Sequence, residues 1–467
     1  MMARGRFEGV DLEPLIEGVY TTLEKVGVLC ENVELAEALG AFGARVDLAK
    51  QRVWFPRELV KEFTESIAKE PHAPPTDTFT RPGRAGFGTQ ICQIYYDWGT
   101  GQRRNGNRQD QITATKLGDA LHGAQGVGHS LVQTEVSGKM ESLESGLVLA
   151  EYAEKPNPPF AWHEEQVDYL IEMGEIMGRP NWFSYGANCF AHPLRFDKVV
   201  ADKFVRRVRE GDRATFTAMP VAGMTTPVTL EGFVSVATAE LVAVWIAGRA
   251  LNPTCGLGAS MWAATIDMAS GEVSYSAFDA MSYGIACHEF IRRWVGINIT
   301  VGGGGYCAAR EPGMAAALEK AHKAMTIAAF TGQHPSIGQG MLECGRTLCP
   351  VQLLVERDLA DGIAHLGSPI EPSTETVGAE WIEMVQQGLE CNHMTTPHTL
   401  DHFRSLWLPT YVDRRGWNGA RSDREMLDRA QGKVTELLAE YRKPQGREDQ
   451  LAKMREVVDR ARKKLVG

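Results

Sequence analysis

The stretch Ala218-Met219-Pro220-Val221-Ala222-Gly223-Met224-Thr225-Thr226-Pro227-Val228-Thr229-Leu230-Glu231-Gly232 decides the fold. It reads as the end of a buried strand, a tight turn and a helix start. Residues 215–219 are β-prone and apolar. Thr226 is a good N-cap, and Pro227 suits the first helical position, where its missing N–H costs nothing. The helix is expected to run through Val236, Glu240, Val244 and Trp245 to a stop at Gly248.

The same grammar recurs along the chain. Strands are expected at 127–134, 159–163, 182–187, 214–219, 253–258, 297–301 and 336–340. Helices are expected between them, at 138–154, 165–178, 196–210, 228–249, 277–294 and 312–331. This alternation predicts an α/β chain folded as a (β/α)8 TIM-type barrel, with a doubly wound open sheet as the competing architecture. An eighth strand is sought near 388–394. Residues 1–125 are expected to form an N-terminal helical region with a small β element, 126–400 the barrel, and 401–467 C-terminal helices. In that tail Leu451, Met454, Val457, Val458, Ala461 and Leu465 make one apolar stripe, expected to pack on the barrel or on a second subunit of a homo-oligomer.

The 467 residues carry a net charge of −10, which disfavours nucleic acid and anionic membranes as main partners. The first residues lack the apolar core of a signal peptide. The most apolar run, 233–245, is too short to span a bilayer and is expected to be a buried helix. Nine scattered cysteines without a CxxC pair read as reduced thiols of a cytoplasmic protein.

Chemistry is expected in the loops after the strands. Gly302-Gly303-Gly304-Gly305-Tyr306 follows the strand INITV, and Gly256-Leu257-Gly258 ends another. Neither is a P-loop or a dinucleotide fingerprint. Glycines there permit close approach of a bulky ligand or simply tight packing. Arg310 offers a fork to a carboxylate or a surface ion pair. Tyr95, Tyr96, Trp98, Trp162, Trp182, Phe183, Tyr185, Trp262 and Tyr306 cluster at loop and strand ends. Jointly, such rings can cage a quaternary ammonium, which has no N–H to donate. Cys391, His393, His398 and His402 have a spacing compatible with zinc, although helix capping and packing explain them better. Glu135, His163 and Glu164 are possible acid–base groups, and no Ser/His/Asp constellation is visible.

Four ordered blocks resemble the trimethylamine methyltransferase family: IYYDWGTGQRR, MPVAGMTTPVTLEGFVSVATAEL, QGMLECGRTLCPVQLLVERDLADGI and HMTTPHTLDHFRSLWLPTYVDR. The resemblance spans about residues 10–465. It implies a corrinoid-dependent methyltransferase on a (β/α)8 barrel. The family's archetype carries a pyrrolysine in the block corresponding to 340–345, where this chain has the ordinary residues GMLECG. Members without pyrrolysine imply quaternary amines as substrates. The expectation is therefore transfer of an N-methyl from glycine betaine to the Co(I) of a separate corrinoid protein, giving dimethylglycine. Carnitine, proline betaine or γ-butyrobetaine are alternative donors. A non-enzymatic methylamine-binding barrel and a zinc-dependent methyltransferase are the rival readings.

A quaternary ammonium leaves as a neutral amine, so the expected site needs no general acid and no metal of its own. Tyr96, Tyr306 and Tyr185 are expected around the ammonium. Arg310 is expected on the carboxylate, with Asn188 and His163 as alternatives. Gly256, Gly258, Gly303 and Gly304, with Gln339 and Gly340, are expected to face the corrinoid.

Overall fold

A computed structural model describes residues 5–72, 83–180, 182–333, 335–366, 371–377, 381–414 and 421–467. The chain is mixed α/β. Among the described residues its strands form several small sheets, and no closed barrel is found.

The central parallel sheet holds Ala214–Ala218, Leu257–Met261 and Thr300–Val301. Burial alternates along Ala214–Ala218. Ala214, Phe216 and Ala218 point into the apolar core, while Thr215 and Thr217 face the other side of the sheet. Ser336–Ile337 pairs in parallel with Gly83–Arg84. A hairpin of Met341–Leu342 and Thr347–Leu348 extends onto Ile94–Asp97 and Gln102–Asn105. Both Gly83–Arg84 and Ile94–Asp97, assigned to the N-terminal region by the expected boundary at 125, thus pair with segments beyond residue 335.

The strands expected at 127–134, 159–163 and 182–187 appear as isolated parallel bridges, Phe87 to Val127, Val127 to Pro156 and Phe160 to Ser184. Around 156–160 the reason is local: Pro156, Pro158 and Pro159 have no N–H to donate, so a ladder cannot propagate through them. The eighth strand does not lie at 388–394. Trp381–Glu390 is a helix that runs into that window.

The core is built on the helix Leu230–Leu251, which packs against Glu13–Thr21, Val33–Ala41, Phe278–Val295 and the strand Ala214–Ala218. At 22 residues it is long and apolar enough to cross a membrane by length and composition, contrary to the shorter run expected, but most of it is buried within the protein. Its cap is Thr229, whose side chain accepts from the Gly232 N–H at 3.3 Å; the helix starts three residues later than expected. Thr225 and Thr226 instead close the preceding turn, Thr225 Oγ1 accepting from the Val221 N–H at 2.8 Å. Gly248 does not stop the helix. A Cβ there would lie 2.2 Å from the Ala214 Cβ, so this glycine lets helix and strand touch. The buried acid on this helix is satisfied: Glu240 accepts from His192 Nδ1 at 2.8 Å and from the Leu194 N–H at 2.6 Å. The other ring nitrogen of His192 accepts from the Met219 N–H at 2.8 Å and so fixes the end of the strand.

The tail stripe behaves as expected. Leu451, Met454, Val457, Val458 and Ala461 are buried where Glu448–Leu465 packs on Gly138–Tyr152 and Val167–Ile176.

Candidate functional site

The segment that follows Ser336–Ile337 makes a tight hairpin. The Gly345 N–H bonds to the Leu342 carbonyl at 3.1 Å, with Glu343 at φ 52° and Cys344 at φ 57°. Two adjacent non-glycine residues in the left-handed region are held only where surroundings impose it. Here those surroundings are identifiable. Arg103 Nε donates to Glu343 Oε2 at 2.8 Å, and Thr347 Oγ1 donates to the same oxygen. Burial alone would raise the Glu343 pKa, but these two partners outweigh it and hold the carboxyl below its ordinary range. Behind the hairpin, the fully buried Lys320 and Glu356 form an ion pair. Lys320 also donates to the Met341 carbonyl, and Glu356 accepts from the Gly340 N–H at 3.1 Å. The pair anchors both residues that enter the turn.

The turn faces a cavity of about 670 Å³ lined by Met219, Val221, Tyr275, Ala308, Arg310, Glu343 and Cys344, among others. Beside it Trp262, Tyr275 and Tyr306 form a chain of edge-to-face rings, with centroids 4.8 Å apart for Trp262 and Tyr306 and 5.4 Å for Tyr275 and Tyr306. Trp262 Nε1 donates to Ser260 Oγ at 2.8 Å, which fixes the indole. The glycine run exists for this ring: a Cβ on Gly302 would lie 2.0 Å from the indole nitrogen. Gly345 serves Tyr306 in the same way, its would-be Cβ 2.2 Å from the phenol ring. Burial raises the pKa of both tyrosines, that of Tyr275 to about 12, so both phenols are neutral donors at physiological pH. Lys323 reaches the same place, its Nζ 2.8 Å from where a Gly303 Cβ would be.

Of the residues singled out in the sequence, Trp262, Tyr306, Gly303, Gly304 and Arg310 gather here. Gly303 (φ 93°) and Gly304 contact Lys323 and the Ser336 carbonyl of their own chain. Arg310 stands at the rim, two-thirds exposed, paired with Glu272 at 2.6 Å. Gln339 is buried and donates to Thr89 Oγ1. Asn188 is buried, its amide donating to the Thr215 carbonyl at 2.8 Å and its Oδ1 without a partner among the described residues. His163 is half-buried at the N-cap of the short helix Glu164–Gln166, and burial lowers its pKa.

The other expected residues lie elsewhere. Tyr185 points away and donates to Glu210, at the end of the following helix. Gly256 and Gly258 flank Leu257, where the strand Leu257–Met261 begins, because the preceding helix continues to Leu251. They border a separate cavity with Arg213 and His72. Gly340 is packed on the helix Pro350–Leu366, a Cβ there meeting Leu353 Cβ at 2.6 Å. Tyr96 packs on a different apolar cluster from Tyr95, the neighbour that shares a cluster with Tyr306, because adjacent strand residues face opposite sides. Cys391, His393, His398 and His402 lie on or beside exposed helices. Among the described residues no group of three His, Cys, Asp or Glu has metal-binding geometry.

Sequence reasoning missed Tyr275 and Lys323. The second carried a signal: Lys320 and Lys323 interrupt the apolar face formed by Ala316, Ala317, Ala324, Ile327 and Ala328 of one helix.

The family model for trimethylamine methyltransferase matches residues 11–466. The trimethylamine methyltransferase of Desulfitobacterium hafniense is 21% identical over 460 residues, covering 93% of this chain and 89% of that protein. A trimethylamine methyltransferase of Methanosarcina mazei is 25% identical over 279 residues, 58% of this chain and 54% of its own length. The glycine betaine methyltransferase of Desulfitobacterium hafniense is 23% identical over 257 residues, 54% of this chain and 52% of its own.

Proposed function

Since the chain belongs to the trimethylamine methyltransferase family, we propose that it moves an N-methyl group from a quaternary amine, glycine betaine first, to a corrinoid protein, leaving dimethylglycine. The observation that carries the choice of amine is the trio Trp262, Tyr275 and Tyr306 beside a hairpin of ordinary residues, Gly340 to Gly345. Aromatic faces attract a cation that cannot donate a hydrogen bond. The glycine betaine methyltransferase among the relatives supports the same choice.

The Co(I) of the partner's corrinoid supplies the nucleophile. This chain has to hold the ammonium, keep one methyl accessible and exclude water. Fit to such a partner is supported by apolar side chains left exposed by the loops near the cavity, Met224, Val228 and Met268 around Gly223, and Phe278 beside His322.

We read the parallel pairings as parts of an eight-segment barrel whose missing member is Gly83–Phe87 rather than 388–394. In support, parallel contacts run from Phe87 to Val127, Val127 to Pro156 and Phe160 to Ser184. The Thr217 N–H bonds to the Asn188 carbonyl at 2.9 Å, the central sheet follows, and Ser336 returns to Gly83. The same reading places the reaction in the cytoplasm, in keeping with nine free thiols, and makes the chain a homo-oligomer. Exposed Trp381, Ile382, Val385 and Leu389 on one helix favour a second copy as their cover.

A methyl-transfer assay with Co(I) cobalamin tests the reaction against glycine betaine, carnitine, proline betaine, γ-butyrobetaine and trimethylamine. Transfer from glycine betaine is expected. Transfer from trimethylamine alone would overturn the reading.

A further inference from the structure

Among the described residues three lysines are buried, and two are accounted for. Lys320 pairs with Glu356. Lys203 donates to the Ala161 carbonyl at 2.8 Å. Lys323, one turn on from Lys320, is 3% exposed, and among the described residues no hydrogen bond or ion pair of its Nζ is found. A buried ammonium without a partner is costly, and folds retain one only when something else compensates. Its Nζ and the Trp262 indole lie over the same residue, 2.8 and 3.2 Å from where a Cβ on Gly303 would be. Gly303, at φ 93°, where only glycine is at ease, lets the two side chains come this close, because a Cβ there would force one of them to shift.

The charged and titratable groups facing Lys323 do not neutralise it. The Cys344 thiol, from the hairpin turn, donates to the Val273 carbonyl at 3.1 Å. The Cys307 thiol, after the glycine run, donates to the Met341 carbonyl at 3.5 Å. Burial raises both thiol pKa values, so both stay neutral at physiological pH. Glu319, on the same helix, is taken by Ser276 Oγ and by the Ala308 N–H at 2.7 Å.

We propose that Lys323 is the carboxylate receptor of the site. The substrate is a zwitterion whose quaternary ammonium rests on Trp262, Tyr275 and Tyr306 while its carboxylate closes onto the lysine Nζ over Gly303. This deepens the methyl-transfer reading and rests on it. It makes Lys323, and not the exposed Arg310, the residue that separates betaines from amines without a carboxylate. A zwitterion leaving water must keep both charges satisfied, and here an aromatic surface and an unpaired cation adjoin.

Binding then carries a proton signature. Burial pushes the free lysine down to about 7, against the opposing pull of Cys344, Cys307 and Glu319. A bound carboxylate favours the charged form and raises it again. Above pH 7 each betaine bound should therefore take up a proton, and its Kd should rise toward tenfold per pH unit. Choline, with an alcohol in place of the carboxylate, should show neither effect.

The test is calorimetric titration of glycine betaine and of choline into wild type and Lys323→Met at pH 6 to 9, in buffers of different ionisation enthalpy. Lys323→Met should weaken glycine betaine by about 10- to 100-fold and leave choline unchanged or tighter. Proton uptake with betaine should vanish in the variant. Unchanged betaine affinity in a variant whose wild type still demethylates betaine overturns the lysine assignment and leaves the reaction standing. A wild type that neither binds nor demethylates a betaine overturns both. If Lys323→Met does not fold, proton uptake by wild type at pH 8 decides alone, and its absence overturns the proposal.

Discussion

Replacing Lys323 by methionine should make the ligand-free protein more stable, by an amount that depends on pH in a calculable way. The lysine titrates near 10.5 when exposed and near 7 in the fold. Each pH unit between these values is worth about 1.4 kcal/mol. Between pH 7 and 10.5 the unfolded chain binds the proton that the folded chain has lost, so stability rises with pH across that window. Below pH 7 both states are charged and the full cost applies, on the order of 4–5 kcal/mol. At pH 9 about 2 kcal/mol remains. Methionine matches the length of the aliphatic stem and removes the ammonium, so it removes this cost. Urea unfolding followed by tryptophan fluorescence should place the variant above wild type at pH 6, with the gap shrinking by about 2–3 kcal/mol by pH 9. Comparing the two proteins at each pH cancels the titration of every other group. A gap that stays constant between pH 6 and 9 would refute the reasoning, and so would a variant less stable than wild type at pH 6. Either result means that Lys323 has a partner in the fold.

Glu356→Gln leaves the fully buried Lys320 charge uncompensated and should destabilise by about 3–5 kcal/mol; a loss under 1 kcal/mol in urea unfolding would show that the hairpin does not depend on the pair. Tyr306→Leu and Trp262→Leu should each weaken glycine betaine by about 5- to 30-fold, one aromatic face at a desolvated site being worth about 1–2 kcal/mol. Tyr96→Leu, on the other side of its strand, should leave the Kd within about twofold on the same reasoning; calorimetry on the three variants checks this. Methyl transfer from glycine betaine should survive exhaustive chelation, because a quaternary ammonium leaves without Lewis-acid help; loss of turnover with rescue by added zinc would contradict it.

Whatever depends on near neighbours was readable before any tertiary contact was known. The alternation of apolar β-prone runs with 3.6-periodic runs announced a mixed α/β chain, and the stripe from Leu451 to Ala461 announced a packed tail helix. The four sequence blocks announced the family, which the match over residues 11–466 bears out. What failed were judgements that need the partner across space. Gly248 looked like a helix stop until Ala214 was seen against it. Gly256 looked like a strand end because nothing local says that the preceding helix reaches Leu251. The Gly302–Gly305 run looked like room for a foreign ligand, and the fold fills much of it with Trp262. The site follows the same rule. Trp262, Tyr275, Tyr306, Lys323 and Cys344 come from loops, a helix and a hairpin spread over some eighty positions, and no periodicity links them. Only packing brings an aromatic chain and an unpaired ammonium to one glycine, because side-chain convergence is set by how elements dock and not by the propensities that form them.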